Sequence, residues 1–356
     1  MTGPYAPPVP ARELTVTSAD GARLHVEVHG PDDAPTVVLA HGWTCSTAFW
    51  GPVVRALLPD HRVVLYDQRG HGRSPAAGPG GCSTDALADD LVAVLTATLE
   101  PGRRAVLGGH SMGGMTVMAA ATRPLFREHA AAVLLCSTGS STLAAGSTVW
   151  PLRAGRPRTL LTRLLLHSRA PLGPVTPLTL RALRYATLGP DATPAMVAAC
   201  ARIVHACPRR VRADWGRVLS GLDLDTGVAA LTVPTLVIQG TADRLTPVRH
   251  ARSLAARLPR CAGLTELPGL GHMTPVEDPA AISDGLRRLV RDHLAPAADA
   301  RPGAPAADAR PGAPDTDAGT AGPAPAGTGR AAGGPADPTR ATPAPEAAGG
   351  AKETTA

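Results

Sequence analysis

The stretch Gly109-His110-Ser111-Met112-Gly113 decides the fold. It follows a short apolar run at 105–108 that predicts a buried strand, and it opens a helical pattern at 112–122. A turn this sharp between a strand and a helix forces its serine into a strained backbone conformation, and glycines two residues to either side relieve the crowding. The pattern predicts that the Ser111 hydroxyl projects above the end of a sheet, where a base can activate it as a nucleophile.

Short apolar runs of the same kind recur along the chain and alternate with helical patterns. Runs such as TVVLA and TLVIQ lack polar alternation, which is typical of strands buried on both faces of a parallel sheet. We therefore expect an α/β fold with a mostly parallel eight-stranded sheet and helices on both faces. The strand candidates are 14–18, 23–29, 36–40, 63–66, 105–108, 132–136, 235–239 and 263–266. The helix candidates between them are 48–58, 84–99, 112–122, 247–258 and 279–294.

The alternation stops between the sixth and seventh strands, where about a hundred residues lack a clear strand pattern. Thr176-Pro177 and Thr193-Pro194 each resemble an N-cap followed by proline in the first helical position. The sequence thus predicts a helical cap inserted between strands 6 and 7. The expected organisation is an N-terminal extension with the first strand at 1–21, a core at 22–140 and 230–295, the cap at 141–229, and a tail at 296–356.

The tail differs from the rest of the chain in composition. Its 61 residues include no Leu, Ile, Val, Met, Phe, Trp, Tyr or Cys, and the nine-residue string PAADARPGA occurs twice in succession from Pro296. Such a segment has too little apolar surface to offset the entropy of ordering, so we expect it to be disordered.

Two segments further along the chain supply partners for the serine. Asp243 follows the strand at 235–239, and His272 follows the last strand. The order Ser111, Asp243, His272 is the order that this architecture uses for a catalytic triad, with the histidine as base and the aspartate holding its tautomer. No CxxC pair is present, and we predict no metal site.

The turn His41-Gly42-Trp43 comes directly after the strand at 36–40. It can aim the amide of Trp43 into the site, where that amide and the amide of Met112 would form an oxyanion hole. Residues that follow the functional loops are candidates for the substrate pocket, namely Cys45, Phe49, Leu245 and Met273, and Trp150 of the insertion is expected to cover it.

These motifs resemble the α/β-hydrolase superfamily in its capped, esterase-like branch, over residues 22–294. The resemblance rests on His41-Gly42-Trp43, the turn at 67–74 (DQRGHGRS), the GHSMGG stretch from Gly109, the GTAD stretch from Gly240, and Gly271-His272. It implies Ser111, Asp243 and His272 as the triad and the insertion as a lid over an acyl pocket. It also implies acyl transfer to water through an acyl-serine, without a cofactor.

The expected activity is hydrolysis of carboxylic esters with small-to-medium apolar acyl groups. A serine at position 111 argues against the haloalkane dehalogenases and epoxide hydrolases of this fold, which need a carboxylate there. Met273 stands where the C–C bond hydrolases of the fold usually carry tryptophan, which weakens that alternative. Thioesterase, C–C hydrolase and perhydrolase activities remain alternatives with the same triad. A non-catalytic ligand receptor is disfavoured, because all three triad residue types are present.

Charge and cysteine usage bear on partners and location. The net charge of +6 is carried by arginine, and aromatic residues make up only 3% of the chain, so a nucleic-acid partner is not expected. The predicted cap holds 12 arginines and 4 acidic residues. Its segment at 153–169 predicts an amphipathic lid helix with a solvated basic face, and the alternative is contact with a lipid surface, a phosphopantetheine carrier or a coenzyme A thioester. No apolar run is long enough for stable membrane insertion. Cys200 and Cys207 are too far apart on one helix for a disulfide, so we expect reduced thiols and a cytoplasmic location.

Overall fold

The computed structural model describes residues 3–78 and 80–294. The tail predicted at 296–356 lies outside these residues. The eight strands are β1 Arg12–Thr17, β2 Arg23–His29, β3 Thr36–Ala40, β4 Arg62–Tyr66, β5 Ala105–His110, β6 Ala130–Cys136, β7 Thr235–Gly240 and β8 Cys261–Leu267. All eight lie where the apolar runs predicted them, with ends that differ by at most two residues.

The strands form one sheet in the order β1-β2-β4-β3-β5-β6-β7-β8. Strand β2 pairs antiparallel with both β1 and β4, and every pair from β4 to β8 is parallel. The central strands β5, β6 and β7 are buried along their whole length, because helices cover both faces. The predicted mostly parallel α/β sheet is confirmed.

The helices of the core lie between successive strands or, for the last two, after β8. They are α1 Gly51–Leu57, preceded by a 3-10 turn at Thr47–Trp50, then α2 Thr84–Thr98, α3 Met112–Ala120, α4 Pro124–His129, α11 Arg249–Arg257, α12 Thr274–Glu277 and α13 Pro279–His293. Helices α2, α3 and α11 pack on one face of the sheet, and α1 and α13 pack on the other. Each face therefore has its own apolar core.

Six helices lie between β6 and β7 and form the cap: α5 Leu143–Gly146, α6 Arg156–His167, α7 Pro177–Thr187, α8 Pro194–Ala206, α9 Arg209–Ser220 and α10 Asp225–Ala230. Thr176 and Thr193 cap α7 and α8 through their side chains, and Pro177 and Pro194 are the first residues of those helices, as predicted. An isolated bridge between Ser141 and Asp223 joins the two ends of the cap. Trp215 of α9 is fully buried and donates from Nε1 to the Arg69 carbonyl oxygen at 3.1 Å, which fastens the cap to the core.

Candidate active site

Ser111 lies between β5 and α3 with φ 51° and ψ −115°, a conformation that L-residues rarely adopt. Two glycines make the turn possible. A Cβ at Gly113 would overlap the carbonyl oxygen of Ala40, and a Cβ at Gly109 would collide with the backbone of Gly113. The main chain of Ser111 is held on both sides, since its N–H donates to the Cys136 carbonyl and its carbonyl accepts from Thr138 Oγ1 at 2.7 Å. The turn predicted from the sequence is therefore a strained, well-anchored elbow.

His272 and Asp243 meet in the loops that follow β8 and β7. His272 Nδ1 donates to Asp243 Oδ2 at 2.8 Å, and both residues are almost completely buried. Because Nδ1 carries the proton in this bond, Nε2 is left free to accept one. His272 and Ser111 line the same cavity. His272, whose Nδ1 proton is directed to Asp243, and Ser111, which is 8% exposed, therefore border the same space.

The Asp243 carboxylate accepts four further hydrogen bonds. Oδ1 accepts from the backbone N–H groups of Leu245 and Thr246 at 2.8 and 2.9 Å. Oδ2 accepts from Gln239 Nε2 and from the Thr246 hydroxyl, both at 2.8 Å. These donors fix the orientation of the carboxylate toward His272. Sequence analysis missed Gln239, although a polar residue near the end of the otherwise apolar run TLVIQ is a signal that could have found it.

His110 supports His272 from below. Its Nε2 donates to the His272 carbonyl oxygen at 2.8 Å, and its ring lies 4.9 Å from the His272 ring and 4.5 Å from the ring of Phe49. Burial lowers the pKa of His110 well below its usual value, so the ring is neutral. Nothing in the sequence indicated this role for His110, because the residue it contacts, His272, lies 162 positions further along the chain.

Glu277 of α12 holds the loop of His272 to the cap. Its carboxylate accepts from the backbone N–H groups of Gly271 and Met273, on either side of His272, at 3.0 to 3.1 Å. It also accepts from the N–H of Gly189, which follows α7, at 2.6 Å. Burial raises the pKa of Glu277. One half-buried carboxylate thus joins the cap and the His272 loop.

The turn after β3 lies against the elbow. A Cβ at Gly42 would come within 2.6 Å of His110 Nδ1 and 3.2 Å of the Ser111 side chain. His41 anchors this turn, because its Nδ1 donates to the Gly42 carbonyl at 2.8 Å and its Nε2 accepts from the Gln68 N–H at 3.0 Å. Trp43 follows, and its indole donates to the Arg212 carbonyl of the cap at 2.9 Å.

Met112 is the first residue of α3, so its N–H belongs to the first turn, where a helix has no internal acceptor. Of the two residues predicted for an oxyanion hole, Trp43 lines the cavity with Ser111, whereas Met112 follows Ser111 in the chain and is fully buried.

The cavity above Ser111 has a volume of about 500 Å³ and lies between the core and the cap. Its wall is mostly apolar, and Cys45, Leu245 and Met273 belong to it as expected. Phe49 and Trp150 do not line it, which differs from the sequence expectation. Phe49 is completely buried beneath the His110 ring, and Trp150 sits in the link between α5 and α6 with its indole nitrogen buried.

One cluster outside the cavity has the residue types of a metal site. Glu13, His25 and Glu27 each bring a ligand atom within 4.8 Å of the others. Glu27 already accepts from His25 and from the Thr47 hydroxyl at 3.1 Å, and Glu13 pairs with Arg73 at the edge of the sheet. These partners occupy the carboxylate oxygens, so we assign no metal to the cluster.

Comparison with known proteins identifies the class that the fold and the elbow define. The family described as the alpha/beta hydrolase fold matches residues 35–279. The chain belongs to the α/β-hydrolase fold family.

Individual relatives cover nearly the whole described chain. "Putative carbamate hydrolase RutD" of Variovorax paradoxus (strain S110) is 33% identical over 284 residues, which are 78% of this chain and 99% of the relative. "Bifunctional esterase/perhydrolase DCH" of Acinetobacter calcoaceticus is 27% identical over 293 residues, with 78% and 99% covered. The crystal structure of the esterase RhEst1 from Rhodococcus sp. ECU1013 superposes with a TM-score of 0.66 at 24% identity, with 79% and 99% covered. None of the helices within residues 3–78 and 80–294 is long and apolar enough to cross a membrane.

Proposed function

We propose that this protein is a serine hydrolase that cleaves carboxylic esters of small-to-medium apolar acyl groups. The observation that carries the proposal is the His272–Asp243 hydrogen bond of 2.8 Å in the same cavity as a serine held at φ 51°. A hydroxyl needs a base with an unprotonated nitrogen, and His272 offers Nε2 because Asp243 holds the proton on Nδ1.

The proposed reaction has two halves. Ser111 Oγ attacks the ester carbonyl and gives its proton to His272 Nε2, while the amides of Trp43 and Met112 stabilise the oxyanion. The tetrahedral intermediate collapses, the ester C–O bond breaks, and the alcohol leaves with the proton from His272. A water molecule then attacks the acyl-serine with His272 again as base, which releases the carboxylic acid and restores Ser111. Asp243 stays ionised and stabilises the imidazolium in both halves.

The cavity supports an apolar acyl group of modest size. Its volume of about 500 Å³ lies within the range of small-molecule sites, and its mostly apolar wall includes Leu165 and Leu166 of α6 and Leu183 of α7. Thioesters, C–C bonds and perhydrolysis remain alternative uses of the same residues, and the relatives named for carbamate hydrolysis and perhydrolysis keep both activities in view. All six cysteines are free thiols, which supports the cytoplasmic location predicted from the sequence.

The test is the initial rate on p-nitrophenyl esters from acetate to palmitate, with Ser111→Ala in parallel. We expect a maximum at a short or medium chain, and a loss on the order of 10³-fold or more in the variant. Ser147→Ala is the matched control, because it removes another hydroxyl from the same cavity wall. Fluorophosphonate should add its mass to the wild type and to Ser147→Ala but not to Ser111→Ala. Wild-type protein that is folded, inert toward all esters and unlabelled would refute the proposal.

A further inference from the structure

One charged side chain stands in the wall of the otherwise apolar cavity. Arg212 of α9 lines the cavity together with Ser111 and His272, although only 6% of its surface is exposed. No other arginine or lysine, and no aspartate or glutamate, belongs to the part of the wall formed by the described residues. A guanidinium in an apolar wall requires a partner that compensates its charge, because burying an unpaired charge is costly.

Within the described residues, only one nitrogen of the Arg212 guanidinium has hydrogen-bond acceptors, and no acidic side chain pairs with it. Its Nη2 donates to the carbonyl oxygens of Ser168, at 3.3 Å, and Ala170. Within residues 3–78 and 80–294 no carboxylate oxygen comes within 4.0 Å of it, and its Nε and Nη1 make no hydrogen bond. Nε and Nη1 of Arg212 do not belong to the buried side-chain atoms that lack a hydrogen-bond partner. Both nitrogens therefore keep some accessible surface.

Arg69 shows how this chain treats a buried arginine that is purely structural. It is 1% exposed, and its guanidinium binds the carboxylates of both Asp90 and Asp20. Arg158 of the cap is a second comparison, since it is 7% exposed and divides its two Nη atoms between the carbonyls of Leu152 and Ala145. It does not line the cavity. Arg212 alone of these three is both short of acid partners and open to the cavity.

The other titratable groups of the wall do not neutralise Arg212. The remaining candidates are the thiol of Cys45 and three histidines, His110, His205 and His272. Burial raises the pKa of Cys45 well above its usual value, so the thiol is neutral. His110 is neutral because burial lowers its pKa, and none of the three can carry negative charge. The cavity therefore presents one positive group against apolar surroundings, where an anion gains more than it would in water.

We propose that Arg212 binds a free carboxylate on the acyl chain of the substrate, so that the preferred esters are half-esters of dicarboxylic acids. This inference rests on the proposed function and narrows its substrate class. The free Nε and Nη1 donors suit a carboxylate, whose two oxygens can accept from an arginine fork. The apolar wall would contact the methylene groups between the bound carboxylate and the ester at Ser111.

The test compares matched esters that differ only in charge. The substrates are ethyl esters of C4 to C8 acyl chains that end in either a carboxylate or a carboxamide, and kcat/KM is followed by ethanol release. We expect wild-type protein to prefer the carboxylate by more than 10-fold at one chain length. In Arg212→Met this ratio should fall about 10-fold or more, to a value near 1. Arg212→Lys keeps the charge without the fork and should retain part of the preference. Arg158→Met is the matched control and should leave the ratio unchanged.

A second readout does not need turnover. Calorimetry on Ser111→Ala should show the carboxylate ester binding at least 10-fold more tightly than the carboxamide, and Arg212→Met in that background should equalise them. If Arg212→Met lowers both esters equally in rate and in binding, the residue only fastens the 168–170 segment to α9 and the inference is wrong. Ester hydrolysis without a charge preference would refute the inference and leave the proposed function standing. Binding that depends on the charge of the ester, without any hydrolysis, would refute the proposed function and leave carboxylate binding by Arg212 standing.

Discussion

Replacing Asp243 by asparagine tests whether the tautomer of His272 controls activity. The change keeps the shape of the side chain and exchanges one acceptor oxygen for an NH₂ group. All five donors around the carboxylate then compete for a single oxygen. Two of them, the N–H groups of Leu245 and Thr246 at Oδ1, belong to the backbone and cannot reverse.

The NH₂ group must therefore occupy the Oδ2 side, where Gln239, the Thr246 hydroxyl and His272 Nδ1 now donate. The hydroxyl can rotate. Gln239 cannot flip without cost, because its Nε2 also donates to the Thr246 carbonyl at 3.0 Å and a flip would place two oxygens together. His272 answers the change by moving its proton from Nδ1 to Nε2, and the nitrogen that must accept the Ser111 proton is then blocked.

We expect kcat for p-nitrophenyl butyrate to fall about 10⁴-fold in Asp243→Asn, the loss found when the same exchange blocks the histidine in serine proteases. ¹⁵N NMR of the imidazole should show the proton on Nε2 in the variant. Thr246→Val removes one donor and keeps the carboxylate, so it should cost only about 10-fold. Asp225→Asn, at an exposed acid of the cap, is the control. A variant with the new tautomer and near-normal kcat would show that His272 is not the base.

Three further predictions rest on single residues. Ser111→Gly should raise the free energy of unfolding by about 1 kcal/mol, measured in urea, because glycine accepts φ 51°, whereas Ser111→Ala should not. Burial lowers the pKa of His71 to about 4. Its neutral form therefore contributes stability that is complete above pH 6.5 and is lost as the pH falls toward 4, about 3 kcal/mol in all. In urea titrations between pH 6 and 4.5, His71→Gln should lower the number of protons taken up on unfolding by one, which is read from the slope of the unfolding free energy against pH. An unchanged slope would contradict a neutral, buried His71. Burial raises the pKa of Cys45 well above its usual value, so iodoacetamide at pH 7 should label the exposed Cys261 and leave esterase activity intact.

Every strand could be predicted from the sequence, because the pattern that marks a buried strand lies within the strand itself. A strand buried on both faces needs a continuous apolar run, and such runs are visible without knowing their neighbours. The predicted start of β6 was inaccurate because it, too, relied on the apolar run alone. The strand begins at Ala130, two residues earlier than predicted, and the alanines there carry little strand preference. The pairing of β6 with β5, which begins with Ala130 opposite Ala105, extends the strand beyond its apolar centre.

Short helices were missed for a related reason. Helices α4, α10 and α12 have six or fewer residues, which is less than two turns and too few to show an apolar period. Phe49 was assigned to the pocket because it is near a functional loop in sequence, and Trp150 because it belongs to the predicted cap; neither lines the cavity. Nearness does not fix the direction of a side chain, and Phe49 turns inward to contact His110.

The residues that sequence analysis could not find are those whose role depends on contacts between distant segments. Glu277 reads as an ordinary helix residue, yet its carboxylate holds Gly271 and Met273 on one side and Gly189 of the cap on the other. Any movement of that part of the cap must stretch these bonds or carry the His272 loop with it. The cap is then more than a cover over the cavity, because the half-buried Glu277 carboxylate and the Thr187 carbonyl, which accepts from the His272 N–H at 2.8 Å, both join it to the His272 loop. A substrate that shifts the cap through Arg212 would act on the base as well as on the pocket.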